Sequence, residues 1–435
     1  MPRPEPKANE WPPRVAREAD IQLVELRLQE ERQAKRVNDE IDRQIELEKQ
    51  ELKRHRPQAK LLLLGQSEAG KSTLLKNFQL LFAPKAFHAE AEAWRAVIHL
   101  NLVRAVNFIL SHEHLRRQDS AESLRHLRMR LSPLRQVELI LHRRLCVDSA
   151  SPSDAPRSPD LSVRVRSGWK GLARIGRPTS MTHQDELQNA RQIIDACRDD
   201  ICAMWADDAV QAGLRGQSVV LEDHCIYFLN NVSRVAALRY APTSDDILRA
   251  RLQTVGVEEH KLVLETVDSG SEWVFYDVEG CRGTRAAWAP YFDDVDAMIF
   301  LCPMSNFDVT LAEDPSMNSL LDSFNLWKTI CESKLLADAT FILFLNKMDL
   351  LHAKLKSGVR FSDYVALYKD QPNDAENVAL YFRRKLSAVH KHSSPKPRAL
   401  HMHMSCAIDT RTMATIVKRV KDVILITALK GTAMI

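Results

Sequence analysis

Glycine is scarce in this chain, 13 residues in 435, which excludes collagen-like and glycine-rich low-complexity architectures and leans the composition toward helix. No apolar run approaches the roughly 20 residues that a bilayer span needs; the longest candidates are Leu61 to Leu64 and Ala297 to Leu301. The 8 cysteines are scattered, without a Cys-x-x-Cys pair, and no secretory h-region follows the start. Such a pattern argues against a zinc ribbon or a secreted disulfide framework and points to a reducing compartment. An excess of one charge is lacking too: 61 basic and 57 acidic residues leave +4, too even a balance to call for a nucleic-acid partner. What is present, 45% hydrophobic and 27% charged residues, suits a folded protein of two or three domains.

After a proline-rich start, residues 16 to 55 hold no Gly or Pro and are dense in Glu, Gln, Lys and Arg. Ile21, Val24 and Leu28, then Val37, Ile41, Ile45 and Leu52, recur at helical spacing, so residues 1–57 read as a long amphipathic arm. Its stripe is too narrow for a lone helix, which predicts docking on a partner or pairing, with packing on its own domain as the alternative. Residues 58–84 read as strand, loop and helix. Residues 85–245 are helix-patterned apart from 147–184, a Ser- and Pro-rich insertion with a basic stretch around Trp169 that reads as a disordered or low-complexity surface loop rather than a binding patch. From 246 to 435 short β-rich runs alternate with helical segments: strands over Leu262 to Val267, Trp273 to Val278, Ala297 to Cys302, Phe341 to Leu345 and Leu400 to Met404, and helices over Ser316 to Lys334, Asn373 to Val389 and Asp409 to Leu429. This alternation predicts an α/β fold with a mostly parallel, doubly wound sheet and its ligand at the carboxyl ends of the strands.

Gly65 to Ser72 fits G-x-x-x-x-G-K-[ST] and lies between an apolar strand and a helix. In that setting successive backbone N–H groups and the helix N-terminus enclose phosphate oxygens, Lys71 neutralises their charge and the Ser72 hydroxyl serves Mg²⁺. Asn346, Lys347 and Asp349 follow a buried strand as N-K-x-D; a carboxylate at Asp349 accepts from the N1–H and exocyclic amine of guanine, whereas adenine offers an acceptor at N1 and no amine on C2. Asp277 and Gly280 follow another strand and supply an acid that reaches Mg²⁺ through water and an N–H for the γ-phosphate. The pairs His112/His114 and His401/His403 have no third ligand at useful spacing and read as packing.

Taken with Asp246 to Gly256, Leu311 to Asp314, Ser405 to Ala407 and Lys421 to Leu429, these motifs resemble the alpha subunit of a heterotrimeric G protein. The resemblance implies a Ras-like P-loop GTPase domain (58–84 and 246–435) interrupted by an all-helical domain (85–245), with GTP or GDP and Mg²⁺ as ligands. It places Gly65, Gln66, Ser67, Glu68, Ala69, Gly70, Lys71, Ser72 and Thr73 around the phosphates. Leu248, Arg249, Arg251, Thr254, Asp277 and Gly280 line the cleft, Asn346, Lys347, Asp349, Cys406 and Ala407 hold the base, and Asp223 reaches across from the helical domain. Ser72 and Thr254 become the protein ligands of Mg²⁺, Arg251 the arginine set against charge on the transferring phosphoryl group, and Glu68 its partner. The implied partners are a beta-gamma dimer on the arm and on Gly280 to Trp288, a seven-helix receptor on the carboxyl-terminal tail, and an effector of unknown identity.

Three residues depart from the family pattern. Cys281 stands where that family carries the glutamine that orients the attacking water, and a thiol is a poor donor and acceptor. Ser67 and Glu279 replace glycines beside it. The expectation is tight GTP binding with slow hydrolysis; a non-hydrolysing GTP-dependent scaffold is the second reading, and a P-loop ATPase or small kinase the third. The start Met1, Pro2 and the lack of a cysteine before Cys146 argue against N-terminal lipid. Any place at the cytosolic face of the plasma membrane is then expected to come from partners or basic segments.

Overall fold

The computed structural model describes residues 33, 35–44, 57–112, 122–145, 163–164, 181–216, 221–265 and 270–431. The chain forms two compact units, Met1–Pro57 and Gln58–Ile435. In the first, residues 35–44 are helical, with Val37 and Ile41 one turn apart and exposed. The rest of the stripe expected along the arm, and the tail beyond Gly431, lie outside the described residues.

The second unit is built on a six-stranded sheet. Its strands are β1 (Ala59–Gly65), β2 (Val257–Val263), β3 (Glu272–Val278), β4 (Ala297–Pro303), β5 (Thr340–Asn346) and β6 (Leu400–Met404), in the order β2-β3-β1-β4-β5-β6. All neighbours run parallel except β2 and β3. Strand period decides the layering. Leu61 and Leu63, Ala297 and Ile299, and Ile342 and Phe344 enter the core on one face. Leu62 and Leu64, Met298 and Phe300, and Phe341 and Leu343 enter the core on the other. β4 and β5 are buried along their whole length, as central strands covered by helices on both faces must be.

On the first face lie α1 (Lys71–Phe82) and the long carboxyl-terminal helix Thr410–Gly431; on the second lie α8 (Ser319–Glu332) and α10 (Ala375–Ser393), with α9 (Met348–Lys356) following β5. Between α1 and β2 come the helical elements: α2 (Ala91–Ser111), α3 (Pro133–Leu145), α4 (Met181–Ala196), α5 (Arg198–Ala206), α6 (Asp223–Asn230) and α7 (Ser244–Arg249), with shorter helices between them. α2 is buried on nearly all sides and forms the axis of this helical set. The architecture is the mixed, mostly parallel sheet with a largely helical insertion, into which the short strand Val163–Arg164 also falls.

α7 is held by a buried knot. Thr243 and Asp246 form a capping box, and Asp246, fully buried, also takes Arg234 at 2.7 and 2.8 Å and the hydroxyls of Tyr227 and Tyr240. Burial alone would raise this carboxyl; the Arg234 and Thr243 bonds outweigh it and hold it well below the usual carboxylate range. The segment that leaves α7 therefore starts from a fixed point, and it carries Arg251 and Thr254.

Two expectations from sequence are corrected. The strand read over Leu262 to Val267 is Val257–Val263, paired antiparallel from Val257↔Val278 to Val263↔Glu272. As the sheet's edge it carries Glu258, Glu259 and His260, which hide it from a search for apolar runs. The 147–184 insertion is not loop throughout: Val163–Arg164 pairs in parallel with Leu252–Gln253, and α4 begins at Met181.

Candidate functional site

Gly65 ends β1 and Gly70, at φ 100°, starts α1. A side chain at Gly70 would strike the Asn346 amide, so glycine is required for closeness as well as for its dihedral angle. No side chain caps α1 and no acid occupies its first turn, leaving its N–H groups directed at the cavity beyond. Lys71 is buried and donates to the carbonyls of Gly65 at 3.0 Å and Gln66 at 2.7 Å. Burial pulls its ammonium down to about 8, with Asp277 opposing. An ammonium so held is poised to take an anion as its partner.

Ser72, Thr254 and Asp277 meet at one point. The Ser72 hydroxyl donates to Asp277 Oδ2 at 2.6 Å, the Thr254 hydroxyl to the same oxygen at 3.1 Å, and the two hydroxyls are 3.2 Å apart. Asp277 is 1% exposed and its Oδ1 is buried without a hydrogen-bond partner, while burial pushes its carboxyl upward. A buried acceptor oxygen left over beside two hydroxyls is a donor set of the hard, oxygen-only kind that Mg²⁺ takes, with its remaining places filled by waters and phosphate. Elsewhere among the described residues no three His, Cys, Asp or Glu side chains group as metal ligands. His403 packs on the Phe344 ring at 5.5 Å.

The base-side residues come from β5 and the loop after β6. Asn346, 1% exposed, donates to the Ala69 carbonyl at 2.8 Å and accepts from the Ala407 N–H at 3.1 Å and the Ser405 hydroxyl at 3.2 Å. It thereby stitches the phosphate loop to Cys406 and Ala407. Asn77 on α1 adds a bond to the Ala407 carbonyl at 2.8 Å. Lys347 sits in the left-handed region at φ 62° and opens α9, whose first turn carries Asp349. Burial lowers Lys347, with Glu68 and Asp223 opposing. Burial and the Asp349 carboxylate, to which it bonds, push the Cys406 thiol up to about 11.

Arg251 stands at the mouth. Its Nη2 donates to Glu68 Oε1 at 3.1 Å and its Nε lies 3.8 Å from Glu222 Oε2. Its backbone is gripped from α2, where Asn101 accepts from the Arg251 N–H at 2.9 Å and donates to its carbonyl at 3.1 Å. Lys76, buried against the Trp94 ring at 4.0 Å, donates to the carbonyls of Ile247 and Ala250. Asn101, Lys76 and Glu222 were missed by the sequence reading. Lys76 carried a signal, four residues after Ser72 on the same helix face, and Glu222 adjoins Asp223; Asn101 showed only as a polar residue in an apolar helix.

Glu279 also lines the cavity, and it pairs with Gly256: its Oε2 accepts from the Gly256 N–H at 3.0 Å, and its N–H donates to the Gly256 carbonyl at 2.7 Å. Burial, together with the nearby Glu279 carboxylate, pushes the Cys281 thiol up to about 11. Gly280 lies so close on the Gln66–Ser67 peptide that any side chain would collide with it. Arg282 is held by Glu313 and Asp314.

A cavity of about 780 Å³ opens between these elements, in the range of cofactor-sized sites. Ser67, Glu68, Gly70, Lys71, Ser72, Thr73, Asp223, Leu248, Arg249, Arg251, Thr254, Gly280, Asn346, Lys347, Asp349, Cys406 and Ala407 line it. Gly65, Gln66, Ala69, Asp277 and Cys281 are not among the lining residues. Asp277 lies behind Ser72, and the Gln66 side chain turns away into α8.

Comparison with known proteins gives the same picture. A family model described as "G-protein alpha subunit" matches residues 35–424. The guanine nucleotide-binding protein alpha-4 subunit of Mycosarcoma maydis is 29% identical, over 94% of this chain and 92% of that relative. The alpha-15 subunit of Caenorhabditis elegans is 28% identical, over 93% of this chain and 98% of its own length.

Proposed function

The chain belongs to the G-protein alpha-subunit family, and from that premise we propose that it is a guanine-nucleotide switch that holds GTP firmly and hydrolyses it slowly. Supporting the grip are the uncapped start of α1 with Lys71 beside it, the Asn346 stitch between the phosphate loop and Ala407, and Asp349 lining the same cavity. Ser72 and Thr254, with Asp277 acting through water, would hold Mg²⁺, which when bound supplies positive charge to the β- and γ-phosphate oxygens. Arg251 turns from Glu68 toward the charge that builds on the transferring phosphoryl group.

The single observation behind slow turnover is Cys281. An amide that donates and accepts can hold a water in line; a thiol, weak as donor and as acceptor, cannot. The family supports partners that we place as follows: a beta-gamma dimer on the amino-terminal arm and on Gly280 to Trp288, a seven-helix receptor on the carboxyl-terminal tail, and an effector, with the working place at the cytosolic membrane face. Competition of GTP against ATP, with phosphate release followed on the same sample, tests this. Selective GTP retention with slow release supports the switch, retention with no release at all favours a GTP-dependent scaffold, and equal retention of ATP defeats both.

A further inference from the structure

Gln66 sits in the phosphate loop, yet its side chain does not serve the cavity. It is 2% exposed, and every polar atom of its amide is engaged with the start of α8. Nε2 donates to the Ser319 carbonyl at 2.8 Å and to Asp322 Oδ2 at 2.5 Å, and Oε1 accepts from the Ser319 hydroxyl at 2.9 Å. Asp322, 3% exposed, takes the Arg285 guanidinium as a fork at 2.9 and 2.6 Å, the second bond falling on the oxygen that Gln66 uses. Arg285 belongs to the 3₁₀ segment Arg282–Tyr291 that follows Cys281. The main chain of Gln66 is committed as well: its carbonyl accepts from Lys71, and its peptide packs on Gly280. One residue thus touches the lysine of the phosphate site, the glycine preceding Cys281, and the carboxylate that anchors Arg285.

We propose that Gln66 is a positioning residue, which wires the phosphate loop through Asp322 to Arg285 and so sets the placement of the 282–291 segment. The inference rests on the cavity being a polyphosphate site and deepens that reading by naming the path from phosphate to outer surface. The physics is that of a shared buried acceptor. A carboxylate out of water needs its partners, and a shift of the Gln66 peptide as Lys71 engages phosphate moves one partner of Asp322 against the other. Burial alone would raise the Asp322 carboxyl; the Arg285 and Gln66 bonds outweigh it, and the carboxyl is held below its ordinary value.

Backbone hydrogen exchange on the full chain tests the wiring without requiring bound nucleotide. Gln66→Met fills the same space without an amide; it should raise exchange across 282–291 about tenfold, the loss of one bond to a buried charge, and leave α10 unchanged. Asp322→Asn should do the same, and the double variant should add little, because both act through one carboxylate. On adding saturating GTPγS the parent should gain protection over 282–291, whereas Gln66→Met, compared at equal occupancy, should gain less. Unchanged exchange in Gln66→Met, or additive effects in the double variant, would overturn the proposal. If Gln66→Met folds poorly, Arg285→Lys reads the path from its other end: faster exchange in residues 66–69 supports the wiring, and no change overturns it. A parent chain that binds no GTPγS contradicts the proposed function alone, since the first arms are read without it.

Discussion

Two halves of one cavity are built to different standards. On the gripping half, Lys71 bonds to the Gly65 and Gln66 carbonyls, Asn346 bonds to the Ala69 carbonyl, and Gly70 leaves room for the Asn346 amide. On the half that we propose for turnover, the Arg251 backbone is held by Asn101, and the position we assign to orienting the water carries the Cys281 thiol near Glu279. On the proposed reading, binding and hydrolysis draw on different groups of the same loop framework, so that one could be kept while the other declines.

Four substitutions or titrations break or sharpen that comparison. Arg251→Ala should lower single-turnover hydrolysis by about 10³, a magnitude taken from arginine fingers of which this family is itself an example, while GTP affinity changes little. An equal fall in affinity would erase the distinction between the halves. Lys71→Met should do the reverse, weakening GTP binding by about 10² through loss of a buried charge-assisted donor, as equilibrium titration with a fluorescent guanine nucleotide would show. Cys281→Gln should speed hydrolysis by about tenfold or more, measured as phosphate release, with affinity unaltered.

The last effect, on stability alone, lies outside both halves. His99 on α2 is buried against the Val235 carbonyl at 3.1 Å, and burial lowers its pKa to about 3. Its folded value lies below the unfolded one, so the unfolded chain takes the proton first. His99 therefore lowers stability progressively as pH drops below about 6.5, by at most about 1.4 kcal/mol per unit. The melting temperature should fall between pH 7 and pH 5, and His99→Leu should flatten that slope; nucleotide affinity, corrected for unfolded protein, should not follow it.

Legibility in the sequence divides along similar lines. The gripping half is written in contiguous motifs, Gly65 to Ser72 and Asn346 to Asp349, because a loop that wraps phosphate or base must come from one stretch of chain. Central strands such as Ala297–Pro303 were legible because burial on both faces forces an unbroken apolar run. The edge strand Val257–Val263 was not, since half of it faces solvent and tolerates charge. Asn101, Lys76 and Asp322 act on residues 150, 171 and 256 positions away. Their roles arise only when the fold closes, and no local pattern announces them. The Cys281 departure was visible in the sequence. Where Glu279 would turn was not, because that depends on the Gly256 N–H just before the neighbouring strand, from which it accepts.

The central claim, a firm grip joined to slow turnover, meets its most direct test in one experiment. Purified chain is loaded with GTP in Mg²⁺, stripped of free nucleotide, and followed through a single turnover for both bound guanine nucleotide and released phosphate, beside Cys281→Gln. The account predicts that both proteins keep their nucleotide and that the parent releases phosphate about tenfold more slowly. A parent that matches or outpaces the glutamine variant, or that loses its GTP on stripping, would contradict it.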